Sequence, residues 1–227
     1  MILSHKHRFI FLKTKKTAGT SIELALCQIC GPDDIITPIT AVDEALRTGL
    51  GPQNWRRHGW FKSPRPIWKR RWFKIGPPDY GYYNHMSAAE VASYIGPAIW
   101  NSYFKFAFDR NPWDRQVSHY HFRHRGKARP AAFAHFLDHD RRARLNNYEI
   151  YSIDGLPALD FLGRYENLVA DFEHVLQILG IDQKIELPRA KSSFRPARPY
   201  QEYYDERTRA LVANWYQNEI KLLGYSF

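Results

Sequence analysis

The stretch from Phe9 to Ile22, FIFLKTKKTAGTSI, limits the possible folds of this chain more than any other. Its first four residues form a short apolar run bounded by charge, which reads as a fully buried strand, Phe9 to Leu12. Ile22, Ala25, Leu26 and Ile29 then recur at helical spacing. Thr20 or Ser21 can cap the helix start, and Gly31-Pro32 stops the helix. A buried strand that enters a helix through lysines, a glycine and hydroxyls gathers cations at a helix N-terminus, where backbone amides already favour anions.

The same layout returns twice. Tyr103 to Phe108 is a second strand candidate. It runs into Asp109-Arg110-Asn111-Pro112, where Asn111 suits a helix cap and Pro112 the first helical position. Leu159 to Leu162 is a third, followed by GRYEN and a helix that carries Leu168, Phe172, Val175, Leu176 and Leu179 on one side and ends at Gly180. Between these units, Ser87 and Glu90 have capping-box spacing, with that helix expected to end near Gly96-Pro97. A last amphipathic helix is expected over about Asp205 to Leu223. Strands alternating with helices predict one α/β domain over residues 1–227, P-loop-like, with a central parallel sheet flanked by helices.

The formal charge of +10 points to anionic partners. Much of it lies in one place: Trp55 to Lys74 carries eight Lys or Arg residues, no acid and four of the seven tryptophans. This stretch reads as an insertion at about residues 52–76. Its aromatic and basic pattern suits either a solvated loop with buried tryptophans or an acceptor-binding or membrane-surface segment at residues 55–74. Cys27 and Cys30 are too few for a disulfide framework and sit within a predicted helix without a second ligand pair, so packing is favoured over metal or redox chemistry. With no apolar run of membrane-spanning length, the expected setting is soluble, reducing and cytoplasmic.

Ligands of open α/β sheets bind beyond the carboxyl ends of the strands, where Lys16 to Ser21 and Arg110 to Asp114 both fall. The first loop is not a Walker A motif, because Lys16 precedes Gly19 by three residues instead of following a second glycine. The order Lys-Thr-Ala-Gly-Thr-Ser resembles instead the 5'-phosphosulfate loop of sulfotransferases that use 3'-phosphoadenosine 5'-phosphosulfate (PAPS). RNPWDRQVSHY, Arg110 to Tyr120, resembles that family's 3'-phosphate motif, an arginine at a strand end and a serine, here Ser118, eight residues on. GRYENL and the C-terminal YYDERTRALVANWYQNEIKLLGYSF are similar to its bacterial and carbohydrate-directed branch. One departure is Asp109, where relatives commonly carry an apolar residue; it either pairs with Arg110 or perturbs the 3'-phosphate site.

The resemblance implies in-line sulfuryl transfer from PAPS to a hydroxyl acceptor, a carbohydrate or glycolipid, without a metal. It implies Lys16 on the oxygen bridging sulfate and 5'-phosphate, Thr17, Ala18, Gly19, Thr20 and Ser21 around the 5'-phosphate, and Arg110 and Ser118 on the 3'-phosphate. His85, just before a helix, is the candidate base for the acceptor hydroxyl, with Glu90 and Glu166 as lesser stand-ins. Lys13 and Lys15 have no assigned role.

The plain structural alternatives are a capped helix behind exposed lysines and a surface arginine with a helix-face serine; neither explains both loops. Two functional rivals stand beside the transferase. One is a nucleotide-dependent kinase, since FKFAFD ending at Asp109 looks like a Walker B strand. The other is a non-enzymatic binder of nucleic acid or anionic lipid. On the transferase reading no nucleic-acid partner is expected.

Overall fold

The computed structural model describes residues 1–56, 81–188, 196 and 198–227. Residues 57–76 of the expected insertion, and with them most of the 55–74 segment considered for membrane contact, lie outside the described residues.

Five strands form one sheet in the order β3-β1-β2-β4-β7: β1 (Ile2–Ser4), β2 (Phe9–Phe11), β3 (Ile35–Ile36), β4 (Phe104–Asp109) and β7 (Phe161–Arg164). The strands expected from sequence, β2, β4 and β7, are mutually parallel, with Phe11 beside Phe106 and Phe108 beside Gly163. The sheet as a whole is mixed, which corrects the expectation of a parallel one. β1 runs antiparallel to both β2 and β3. Only His5 to Arg8 separate β1 from β2, far too little chain for the crossover a parallel pair needs. Asp34 fixes that turn by accepting from the His5 and Lys6 amides at 2.7 and 3.0 Å and from Ser4 Oγ at 2.7 Å.

Alternation along the strands explains the layers. Phe9, Phe11, Phe106 and Phe108 point to one face and pack against Ile22, Ala25 and Leu26 of α1 (Gly19–Leu26) and Phe172, Val175 and Leu176 of α7 (Leu168–Ile178). Ile10, Leu12 and Ala107 point to the other, against Val91 of α3 (Ala88–Ser102) and Tyr151 of α6 (Tyr148–Tyr151). Each large apolar side chain buried this completely contributes about 1.5–3 kcal/mol. Gly163 is dictated by this packing, because a Cβ there would stand 2.4 Å from the Phe108 ring. A third apolar cluster joins α4 (Pro112–His124), α5 (Phe133–His139) and α8 (Glu206–Trp215) through Trp113, Val117, Phe136 and Val212.

The remaining elements are short: α2 (Ala41–Glu44), the β5–β6 hairpin (Ser152–Ile153 and Leu156–Pro157) and α9 (Gln217–Leu223). Three boundaries differ from expectation. α1 is capped by Ala18 without a side-chain bond, so neither Thr20 nor Ser21 is its cap. α3 kinks at Gly96, φ 76, and resumes after Pro97 instead of ending there. The C-terminal helix is two, because Tyr216 leaves helical geometry between α8 and α9. The Ser87–Glu90 capping box and the Asn111 cap, which accepts from the Trp113 amide at 3.1 Å, form as expected. Among the described residues no helix is long and apolar enough to cross a membrane.

Candidate functional site

The carboxyl ends of β2, β4 and β7 open into one cleft of about 1250 Å³. Every residue from Lys16 to Ser21 lines it, together with His85, Arg110 and Ser118. All nine residues singled out from sequence therefore share one cavity, although they come from three segments of the chain. Glu90 is not on its wall; the Ser87 cap and the Tyr83 hydroxyl, at 2.6 Å, occupy that carboxylate.

The loop after β2 is held from inside. Thr14 Oγ1 bonds the Phe108 carbonyl and lies 2.7 Å from Thr17 Oγ1, which ties the loop to β4. Asn147 grips Lys15 at both backbone groups: its Oδ1 accepts from the Lys15 amide and its Nδ2 donates to the Lys15 carbonyl, each at 2.9 Å. Lys13 points inward and pairs with Glu23 of α1 at 2.5 Å, both side chains almost wholly buried. It therefore anchors α1 beneath the loop. Gly19 has a packing reason as well, since a Cβ there would lie 2.8 Å from Lys13 Cγ.

Lys16 and Ala18 adopt left-handed backbone at φ 64 and 58, and His85 does so at φ 62. Non-glycine residues in this region carry strain that the surrounding structure must sustain, and such strain concentrates at ligand sites. The Lys16 ammonium lies 4.2 Å from the centroid of the Phe122 ring on α4. At the end of β4, Asp114 fixes Arg110 by accepting from Nε at 2.6 Å and from Nη2 at 2.5 Å. The guanidinium also lies 3.9 Å from the Tyr165 ring centroid, and Nη1 reaches the Lys16 carbonyl at 3.4 Å. This Arg110 is a preoriented cation, held one helical turn from Asp114 and against an aromatic face.

Asp109 does not pair with the Arg110 side chain, the first of the two alternatives left by its sequence. Its carboxylate accepts the Arg110 backbone N–H at 2.8 Å and forms a buried pair with Arg115 at 2.5 Å. Tyr151 donates to its other oxygen at 2.9 Å, and Asn147 Nδ2 lies 3.3 Å from the first. Arg115 in turn reaches Glu219 of α9 at 3.0 Å. Through Asn147 and Asp109, one buried network thus supports both loops.

Two imidazoles line the cleft in neutral form. His85 Nδ1 lies 2.8 Å from the Lys13 carbonyl. A carbonyl only accepts, so Nδ1 carries the proton and Nε2 keeps its lone pair. Burial, with a smaller contribution from the charges of Lys13 and Lys15, pushes its pKa down to about 4. His119 donates from Nε2 to the Arg142 carbonyl at 2.8 Å, and burial pushes its pKa down to about 4 as well. Its Nδ1 is buried with no hydrogen-bond partner among the described residues.

A family model described as "Sulfotransferase family" matches residues 1–226. The chain belongs to the sulfotransferase family. As a sulfotransferase it moves a sulfuryl group to an acceptor. The sulfotransferase is 28% identical over 107 residues to an uncharacterized protein of Archaeoglobus fulgidus, an alignment that covers 45% of this chain and 88% of that protein. No solved structure matches the sulfotransferase.

Asn147, Asp114, Tyr165 and His119 are residues of the site that sequence reasoning passed over. Asp114 and Tyr165 lie inside RNPWDRQVSHY and GRYENL, where nothing in the sequence singles them out. Asn147 lies in LNNYEI, where no periodicity or motif marks it. The two cysteines are buried, Cys27 with its thiol pushed up to about 12 by burial, which makes the thiolate scarce.

Proposed function

We propose that the cleft binds PAPS and transfers its sulfuryl group in line to a hydroxyl acceptor, a carbohydrate or glycolipid. The observation that carries this reading is the joining of the two loops in one cleft, which Lys16, the pinned Arg110 and Ser118 all line. A nucleotide bearing phosphates at both its 5' and 3' positions needs two separate anion sites. The α1 N-terminus, without a side-chain cap, supplies amides and a favourable dipole for the 5'-phosphate, beside Gly19, Thr20 and Ser21. Nε and one Nη2 donor of Arg110 are taken by Asp114, and the fork has further donors for the 3'-phosphate beside Ser118.

PAPS supplies an activated sulfuryl group. Catalysis of its displacement is chiefly a matter of positioning and of stabilising charge on the departing oxygen. Lys16 is assigned to that oxygen, because a lysine ammonium is a compact point charge on a flexible stem. His85 takes the acceptor's proton at Nε2, the nitrogen its bond to Lys13 leaves unprotonated. The kinase rival is disfavoured by Asp109: its carboxylate is fully buried and occupied by Arg115, Tyr151 and Asn147, so it does not present a Walker B ligand to magnesium.

Arg110→Ala tests the assignment. It is expected to weaken PAPS and 3',5'-adenosine diphosphate by about 10–100-fold, the loss of one or two charge-assisted bonds. Adenosine 5'-phosphosulfate, which has no 3'-phosphate, should change far less. Equal losses for both nucleotides would sink it.

His85→Asn keeps a donor for the Lys13 carbonyl and tolerates the left-handed backbone, but removes the base. Turnover is expected to fall about 10²–10⁴-fold with little change in diphosphate affinity. In the wild type, the acid limb of the pH–rate profile should lie near the depressed value of about 4, not near that of an ordinary histidine. Stability has its own sign. As pH falls below 6.5 the unfolded chain takes up protons that the folded His85 and His119 refuse down to about 4, so stability declines across that window. An acid limb near 6.5 would contradict the role of His85.

A further inference from the structure

A second cavity, of about 580 Å³, lies beside the C-terminal end of α4 and is separate from the cleft. Arg123, Lys127, Arg141 and Arg142 surround it with Asp140 as the one acid on its wall among the described residues, and His124, His135 and His139 complete the polar lining described. Leaving the histidines aside, that is four cations against one anion. Asp140 offsets one of the four, with one oxygen accepting the Arg142 amide at 2.8 Å and the other 3.6 Å from Arg123, which leaves a net excess of positive charge. The next acid in sequence, Asp138, is turned away and gripped by Arg207 through two bonds of 2.9 Å.

Gathering like charges around a hollow costs free energy in the unliganded protein, and an anion there relieves it. The site also has hydrogen-bonding capacity left over: Arg123 Nε is buried with no partner among the described residues. The His135 and His139 rings lie 4.4 Å apart between centroids, on one face of α5. Phe136 and Ala131 give the hollow an apolar wall. Its volume falls in the range of about 300–1,000 Å³ usual for small-molecule sites, and exceeds what a bare oxyanion fills.

We propose that this cavity is a second anion site, which takes a tetrahedral oxyanion, a phosphate or sulfate group, independently of the cleft. The anion is either the free ion or an ester on a larger molecule; the chemistry at the arginines is the same. The site also touches the cleft structurally. His119, on the cleft wall, donates to the carbonyl of Arg142, on the wall of the second cavity.

The test is a titration of the full chain with sodium phosphate at constant ionic strength, followed by the imidazole resonances of His124, His135 and His139. Saturable shifts are expected. The exposed pair Lys127→Gln with Arg142→Gln keeps every backbone bond of the segment and should raise the phosphate Kd about tenfold or more. Its affinity for 3',5'-adenosine diphosphate should stay as in the wild type. A parallel titration with glucose 6-phosphate distinguishes the sources: tighter binding than inorganic phosphate assigns the site to an ester, weaker binding to the free ion. Shifts that do not saturate, that chloride reproduces, or that survive unchanged in the double variant would overturn the proposal. A phosphate response in a protein that fails to bind the diphosphate would support this site and count against the PAPS reading alone.

Discussion

Lys16→Ala should cut turnover of PAPS by about 10²–10³-fold, the usual loss when one donor aimed at developing charge is removed. Its effect on 3',5'-adenosine diphosphate binding should be much smaller. The distinction follows from where Lys16 sits. The 5'-phosphate has the uncapped N-terminus of α1, and the 3'-phosphate has Arg110, so ground-state binding does not depend on this lysine. Only the oxygen that departs from sulfur gains charge during the reaction, and a compact ammonium at that point acts on the transition state more than on the bound donor. The left-handed backbone of Lys16, φ 64, and its contact with Phe122 aim the side chain from a loop that Asn147 and Thr14 keep rigid. Measuring kcat and diphosphate Kd on the same preparation separates the outcomes. Near-wild-type turnover, or a loss confined to affinity, would remove Lys16 from the chemistry.

Asp109→Ala is expected to cost about 3–5 kcal/mol of folding stability, because it strands the fully buried Arg115 guanidinium. Among the described residues Glu219 alone then remains to pair with that charge, at 3.0 Å. Tyr151 and Asn147 also lose their shared acceptor. Asp109→Asn should cost less, since an amide oxygen still accepts one of these bonds. Urea unfolding monitored at equilibrium reads the difference directly, and a loss under about 1 kcal/mol for the alanine variant would contradict the role of this network as the frame of both loops. An Asp109 that instead bound a magnesium–nucleotide complex would show itself by the opposite pattern, normal stability with lost nucleotide binding.

Much of this site could be read from residues because its parallel strands are short apolar runs that lead straight into polar turns. Phe9, Phe11, Phe106 and Phe108 announce buried strands, and Gly19 and Asn111-Pro112 mark where the chain turns into helices. Once the strands are parallel neighbours, the loops at their ends must meet, so Lys16 and Arg110 fall into one cleft although 94 positions separate them. β1 and β3 escaped notice because three- and two-residue strands carry no periodicity of their own. Their antiparallel pairing is set by the brevity of one turn.

The supporting residues were hidden for a different reason. A buried amide such as Asn147 owes its role entirely to partners distant in sequence, 132 positions away at Lys15, and local pattern carries no trace of that. In sequence Asp109 stands out as an oddity before Arg110 and as the end of a Walker B-like strand. The structure turns the oddity into a hub, with the charge beside Arg110 directed to Arg115 instead. Lys13 is similar: in sequence it is one more lysine in a basic loop, whereas in the fold it pairs with Glu23 beneath the loop.

The central claim is that one cleft holds a nucleotide by both its 5'- and 3'-phosphates. Calorimetric titration of the wild-type chain with 3',5'-adenosine diphosphate, 5'-AMP and magnesium-ATP tests it without any knowledge of the acceptor. The account predicts that the diphosphate binds without magnesium and at least about tenfold more tightly than 5'-AMP, the equivalent of one charge-assisted contact to the added phosphate. Equal affinity for the diphosphate and 5'-AMP, or tight binding reserved for magnesium-ATP, would contradict it.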